Sequence, residues 1–248
     1  MATLNYPIII ANADDLGLNP TVNSAIVQCF KQGYINSASL ITNSPIFDET
    51  IYLIKTEPDV KNLGVHIDLV EFKPLTEFKD KEFVDQTGFW TSKAASIKFM
   101  FLKKEANRAF ENEIHAQIEK AISSGLKPIH LDSHYHIHTL PGFHALFIKA
   151  AEKYQLKLRL AQSYNEGSYL KFLYRKYLNA RIKRNGYYYS DNFSDVAHFI
   201  SLKSGERKKN SFEIMLHPDL GKTGNLTDHY DPQSMVKWLE FLKQGETI

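Results

Sequence analysis

Residues 130–138, "HLDSHYHIH", concentrate side chains that bind metals and carry protons. Read with a period of two, His130, Asp132, His134, His136 and His138 share one face, while Ile129, Leu131, Ser133, Tyr135 and Ile137 take the other. A strand through 129–133 would aim Asp132 and His134 the same way, and the chain is expected to turn near Pro141. A buried row of imidazoles is costly unless a metal, mutual hydrogen bonds or solvent satisfies it. Any one of these histidines alone reads as a solvated loop residue. Four within nine residues, at the end of a strand, favour a metal site.

Other polar groups also fall at the ends of apolar runs. "NADDLGLN" sets Asp14 beside Asp15, where one carboxylate can ligate a cation while its neighbour handles a proton; a plain turn explains the residue types equally well. "GVHIDL" carries His66, which alone reads more as a hydrogen-bonded core residue than as a ligand, and "MLHPD" carries His217 just before a proline that stops the strand, where a surface turn is the competing reading. Arg159 sits in "LKLRLAQ", mid-strand in apolar company, and needs a carboxylate partner there.

The elements that would position these groups alternate. "YPIIIANADD" reads as a strand, followed by a helix capped by Asn19 with Pro20 in its first turn and Gly33 at its end. "SASLITN" is a strand, 46–56 a short helix, and "NLGVHIDLV" a strand. Residues 71–101 are irregular and rich in aromatics (Phe72, Phe83, Phe89, Trp90, Phe99, Phe101). Core packing is the main reading for most of these, and faces for a sugar ring the second. A helix from Ala106 to about Gly125 precedes "KPIHLDSH", a helix over 142–154, "LKLRLAQ", "SFEIMLHPD" and the closing helix "SMVKWLEFL". Strands alternating with helices predict an α/β fold with a mainly parallel sheet or barrel, whose polar strand ends converge on one site. No internal repeat or linker divides the chain, so residues 1–248 are expected to form a single domain.

Composition sets limits. The chain has 248 residues, 43% hydrophobic and 23% charged, with a net charge of +2, as for an ordinary soluble protein. One cysteine, Cys29, excludes an intrachain disulfide and a cysteine-rich zinc site. The start lacks a secretory pattern and no run spans a bilayer, so a cytoplasmic location is expected. Nucleic acid is not an expected partner, because the basic run is short and the overall charge near balance.

The ordered set "NADDLGLNPTVNSAI", "GVHIDL", "PIHLDSHYHIH", "LRL" and "MLHPD", spanning about residues 6–220, resembles the YdjC-like carbohydrate deacetylase family, which includes chitooligosaccharide deacetylases and deacetylases of hopanoid biosynthesis. The resemblance implies a distorted, seven-stranded (β/α) barrel of the polysaccharide deacetylase superfamily. It also implies one divalent metal ion, Mg2+ or Zn2+, and an N-acetylated carbohydrate substrate. Matched residue by residue, Asp15, His66 and His134 fall on the metal ligands, Asp14 on the general base, His217 on the acid and Arg159 on the arginine that orients the base. The family often has three successive histidines where this chain has His134, Tyr135 and His136; the first is kept, so the metal assignment carries over. The chain also stops early for the family, soon after "WLEFLKQGETI", which predicts that a closing element is missing.

Such a set suits amide hydrolysis. A cation acidifies water and polarises the carbonyl, a carboxylate takes a proton, and an imidazolium gives one to the departing amine. Asp132, His136 and His138 are candidates to orient the ligands through hydrogen bonds. Two other classes compete: a phosphoesterase or amidohydrolase, which would need further bridging carboxylates, and a non-catalytic sugar- or metal-binding barrel. The stretch from Gly167 to Ser190 has no acidic residue, and 168–184 reads as a basic amphipathic helix. A packed helix with a solvated basic face is the first expectation, and peripheral contact with a membrane or glycolipid the second.

Overall fold

The computed structural model describes residues 9–96 and 102–245. Phe99 and Phe101, counted above in the aromatic segment, lie outside the described residues, as do Tyr6, Pro7 and Ile8 of the first strand. Seven strands build one sheet: β1 Ile9–Leu16, β2 Ser37–Leu40, β3 Leu63–Ile67, β4 His130–Ser133, β5 Lys157–Leu158, β6 Asn192–Asp195 and β7 Phe212–Leu216. Their order is β5-β4-β3-β2-β1-β7-β6, and every neighbouring pair is parallel. The edges approach each other through irregular backbone. Leu158 N–H donates to Tyr187 O at 3.0 Å, Tyr189 N–H to Leu158 O at 3.2 Å, and Ser163 N–H to Phe193 O at 3.0 Å. The sheet thus curls into the distorted (β/α) barrel expected from the sequence.

The helices are α1 Pro20–Lys31, α2 Phe47–Thr56, α3 Lys93–Ser96, α4 Lys104–Ser123, α5 His144–Tyr154, α6 Tyr169–Arg184, α7 Val196–Ser201, α8 Ser204–Arg207 and α9 Pro232–Lys243. Asn19 caps α1 as its residue type predicts, its side-chain oxygen accepting from Thr21 N at 3.0 Å and Val22 N at 2.9 Å. No helix among the described residues is long and apolar enough to cross a membrane. Two apolar clusters join helices to sheet. Val65, Ile67, Leu131 and Leu158 pack with Phe110, Ile114 and Phe147. Ala11, Ala13, Leu40, Ile214 and Leu216 pack with Val22, Ile26, Phe199 and Trp238.

Because strand side chains alternate, the residues between those apolar positions point the other way, into the barrel. They are Asn12 and Asp14, Ser39, Gly64 and His66, His130 and Asp132, and Glu213, and the polar side chains among them are buried. They bond to one another across strands: Asn12 Nδ2 donates to Ser39 Oγ at 2.8 Å, and Ser39 Oγ to Asp132 Oδ2 at 2.7 Å. The inward histidine of β4 is His130. Its Nε2 lies 3.0 Å from Ser39 Oγ, its ring stacks on Tyr189 at 4.2 Å, and burial pushes its pKa down to about 4. That ring occupies the space above Gly64, where an added Cβ would come within 2.2 Å of it. Gly64→Ala is therefore expected to destabilise the protein by about 1–3 kcal/mol, the usual range for overpacking. The check is the urea midpoint of the purified variant; an unchanged midpoint would mean that His130 moves aside freely.

Two readings need correction, two sets of elements went unforeseen, and the main reading of the aromatic segment holds. The period-two row does not continue past His134: β4 ends at Ser133, and Tyr135 and His136 take left-handed backbone (φ 52° and 54°), so the chain turns well before Pro141. His136 and His138 thereby no longer follow strand alternation, though His136 stays within electrostatic reach of Arg159, Asp14 and His217. Arg159 is not mid-strand but follows β5, which has only two residues. β6 and an antiparallel hairpin, β8 Pro218–Leu220 with β9 Leu226–Asp228, were not foreseen. In the aromatic segment, Phe83 and Trp90 pack on Phe110 with centroids 4.9 and 5.8 Å away, as core residues, whereas Phe89 stays exposed.

Candidate active site

Asp14 and Asp15 end β1. Its register with β2 slips between Ala13 and Leu16, and Asp15 has φ 67°. A regular strand would send adjacent side chains to opposite faces. The irregular backbone instead buries both carboxylates in the same polar interior. Asp15 Oδ1 lies 2.8 Å from His134 Nδ1 and 3.2 Å from His66 Nε2. Despite that proximity, Oδ1 has no hydrogen-bond partner among the described residues. The three groups offer ligand atoms within 4.8 Å of one another, all buried. One carboxylate and two imidazoles brought this close in a buried pocket suit a shared cation.

The other nitrogen of His66, Nδ1, lies 2.8 Å from Asp132 Oδ1. A carboxylate only accepts, so Nδ1 carries the proton, and Nε2, on the Asp15 side, is the nitrogen that would ligate a cation. Until a cation binds, the surrounding carboxylates of Asp132, Asp15 and Asp14 outweigh burial and raise the pKa of His66 well above the usual histidine range. Metal-binding histidines are commonly oriented this way. Asp132 thus takes the orienting part suggested for it. His136 and His138 do not: His138 Nδ1 pairs with Ser133 Oγ at 2.8 Å, and His136 sits edge-on to Phe193 at 5.6 Å. Burial pushes the pKa of His136 down to about 3 and that of His138 well below the usual histidine range, so both are neutral.

Arg159 fills the middle of the network. Its Nη1 and Nη2 donate to Asp14 Oδ2 and Oδ1 at 2.7 and 2.6 Å, and Nε donates to Glu213 Oε1 at 2.6 Å. Nη2 also lies 2.6 Å from Asp132 Oδ2. Burial alone would raise the pKa of Asp14, but the guanidinium outweighs it and holds the carboxyl below its usual range. Burial opposes ionisation of Asp15 and Asp132 as well, and is overcome by His134, His229 and His66 for the first and by Arg159 and His66 for the second. Asp14, Asp15, Asp132 and Glu213 together outnumber the one guanidinium. Glu213 reflects the excess: burial, only partly opposed by Arg159, pushes it up to about 7. A divalent cation would balance the rest, so the donor set fits such an ion.

His217 approaches from the hairpin side. Its Nδ1 is 3.5 Å from Asp228 Oδ2, which also accepts the His217 backbone N–H at 2.8 Å. Its Nε2 is left facing Asp14 Oδ2 at 4.0 Å. The structure therefore brings Asp14, Asp15, His66, His134, Arg159 and His217 to one place.

A family model of YdjC-like proteins matches residues 8–244. The chain belongs to the YdjC-like family. Curated relatives of this YdjC-like chain include carbohydrate deacetylases of Geobacillus stearothermophilus (32% identical over 151 residues, 60% of this chain and 58% of the relative) and Thermoanaerobacter pseudethanolicus (31% over 214 residues, 85% and 80%). Another, of Clostridium beijerinckii, is 25% identical over 242 residues, 97% of this chain and 93% of the relative. The first of these matches spans less than two thirds of its relative's length. Among solved structures, a protein of Enterococcus faecalis described as a candidate cellobiose-phosphate cleavage protein superposes with a TM-score of 0.67 and 25% identity, over 88% of this chain and 84% of that one. The lactam utilization protein of Thermus thermophilus (TM-score 0.51, 14% identity, 96% of each chain) shares the fold.

Sequence reasoning passed over three residues of the YdjC-like site. His229 places Nε2 3.1 Å from Asp15 Oδ2, Asp228 faces His217, and Glu213 holds Arg159 Nε. Signals existed for each. "LTDHYD" repeats the pairing of carboxylate and imidazole soon after "LHPD", and Glu213 stands between Phe212 and Ile214, the position that alternation turns inward.

Proposed function

We propose that the chain is a metal-dependent carbohydrate deacetylase, which hydrolyses the N-acetyl group of an amino sugar, in an oligosaccharide or glycolipid, to free amine and acetate. One observation carries the reading: Asp14, gripped at both oxygens by Arg159, lies beside the Asp15, His66 and His134 set and 4.0 Å from His217 Nε2. Those three residues would hold Mg2+ or Zn2+, which when bound acidifies water and polarises the acetyl carbonyl. Asp14 accepts the proton of the attacking water, and Arg159 keeps it ionised and aimed. His217, steadied through Nδ1 by Asp228, delivers a proton from Nε2 to the departing nitrogen, which otherwise leaves poorly. The names of the curated relatives support a carbohydrate substrate.

The rival readings fit less well. A two-metal phosphoesterase would need a second ion. The only other candidate group among the described residues, Asp14, His66 and Asp132, has both carboxylates engaged by Arg159. A non-catalytic barrel has no use for an ionised, oriented carboxylate beside its ligands. The test is acetate release from a panel of N-acetylated oligosaccharides and glycolipids. Chelation is expected to abolish release and added divalent metal to restore it, while His134→Ala loses metal by elemental analysis. Undiminished release after complete chelation would sink the reading.

A further inference from the structure

The outer face of α6 is apolar where a solvated helix would be polar. Tyr169, Leu170, Leu173 and Tyr177 are 66, 79, 43 and 59% exposed. At 100° per residue these four fall on one flank, opposite the buried Arg175, Leu178 and Ile182. The helix is thus packed on the barrel, as first expected from its sequence, but its free side is not simply basic. Lys176, Lys183 and Arg184 border the stripe. Lys176 Nζ lies over the Phe172 ring at 5.1 Å, and Lys183 Nζ donates to the Asp191 carbonyl at 2.7 Å. Lys171 and Arg175 share Glu166, at 3.0 and 2.9 Å. From Gly167 to Ser190 no residue is acidic.

The position of the stripe matters as much as its chemistry. α6 follows the C-terminal end of β5, so its first turns lie at the strand-end face that carries the candidate active site. A cavity of about 690 Å³ opens there, lined by Leu170 and Tyr174 of α6 and by Thr139, Leu140 and Pro141, which continue the loop from His134. The apolar patch therefore runs inward to the loop that follows a metal-ligand candidate.

We propose that this face of α6 docks the protein on an anionic lipid surface. Leucines with tyrosines, whose rings have an apolar body and a polar tip, match the boundary between acyl chains and headgroups, and the flanking cations match anionic headgroups. A second copy of the chain fits poorly, because a two-fold contact would set Lys176, Lys183 and Arg184 against the same cations with no carboxylate on the face to answer them. The inference rests on side-chain exposure and charge, independently of the deacetylase reading.

The test is sedimentation with large vesicles of phosphatidylcholine alone and of phosphatidylcholine with phosphatidylglycerol. The protein is expected to bind the anionic vesicles at least about tenfold more tightly than the neutral ones, and less tightly as salt is raised. Leu173→Glu/Tyr177→Glu, folded by circular dichroism, is expected to lose vesicle binding. Three results would overturn the proposal: no binding of the wild type to anionic vesicles, equal binding of the double variant, or wild-type dimers that the double variant splits into monomers.

Discussion

Asp14→Asn is expected to cut acetate release by about 10²–10⁴-fold, the usual worth of a general base, while metal content stays that of the wild type. The substitution keeps the shape of the side chain and removes its basicity. Asp14 is not among the three groups nearest a shared cation: Asp15 Oδ1, His66 Nε2 and His134 Nδ1 face each other without it. The asparagine amide can accept only through its oxygen, where Arg159 Nη2 and Asn12 Nδ2 already donate at 2.6 and 2.7 Å. Its NH2 group then meets Arg159 Nη1, a donor facing a donor, which costs stability. Relief of the repulsion between Asp14 and Asp132 offsets part of that cost. The variant should therefore fold and load metal, which separates this result from a structural failure. Wild-type turnover in metal-loaded Asp14→Asn would remove Asp14 from the role of base.

Part of the inward polar row, His130 with Asp132, was legible because it obeys the simplest strand rule; Asn12, Ser39 and Glu213 obey it too but were not singled out. Asn12 with Asp14, Gly64 with His66, and His130 with Asp132 each sit two apart, and the barrel interior holds all of them. What the rule could not show was where it stops. Left-handed backbone at Tyr135 and His136 is costly for residues with a Cβ, so residue type and alternation give no sign of it. The same holds for Asp15, whose positive φ buries two neighbouring carboxylates together. β6, "NFSD", escaped notice because it is short and polar; its bonds to β7 define it. For the site, residue types and strand-end placement pointed to metal chemistry, but grouping Asp15, His66 and His134 as one ligand set came from the family resemblance. His229 and Asp228 lay beyond the matched motifs, on a hairpin that brings them back over β1.

Arg159→Met is expected to destabilise the protein by about 3–5 kcal/mol, the range for removing one partner of a buried ion pair. The guanidinium is fully buried and holds Asp14, Asp132 and Glu213 at once. Methionine fills much of the volume, so the loss is chiefly electrostatic. Arg159→Lys should fall between the two, since one ammonium retains the charge but cannot present the planar fork. The sign with pH follows from the carboxylates. Without Arg159, burial raises the folded-state pKa values of Asp14 and Asp132 above their ordinary 3.8, so the folded variant holds protons that the unfolded chain has released. Its stability must then fall as pH rises above that value, whereas in the wild type the depressed pKa values of the same two groups contribute stability across that range. The gap in urea midpoint between variant and wild type is therefore expected to be present already near pH 4 and to widen toward pH 7. A gap that stays constant with pH would mean that Arg159 acts through packing alone, and that Asp14 owes its ionisation to something other than the guanidinium.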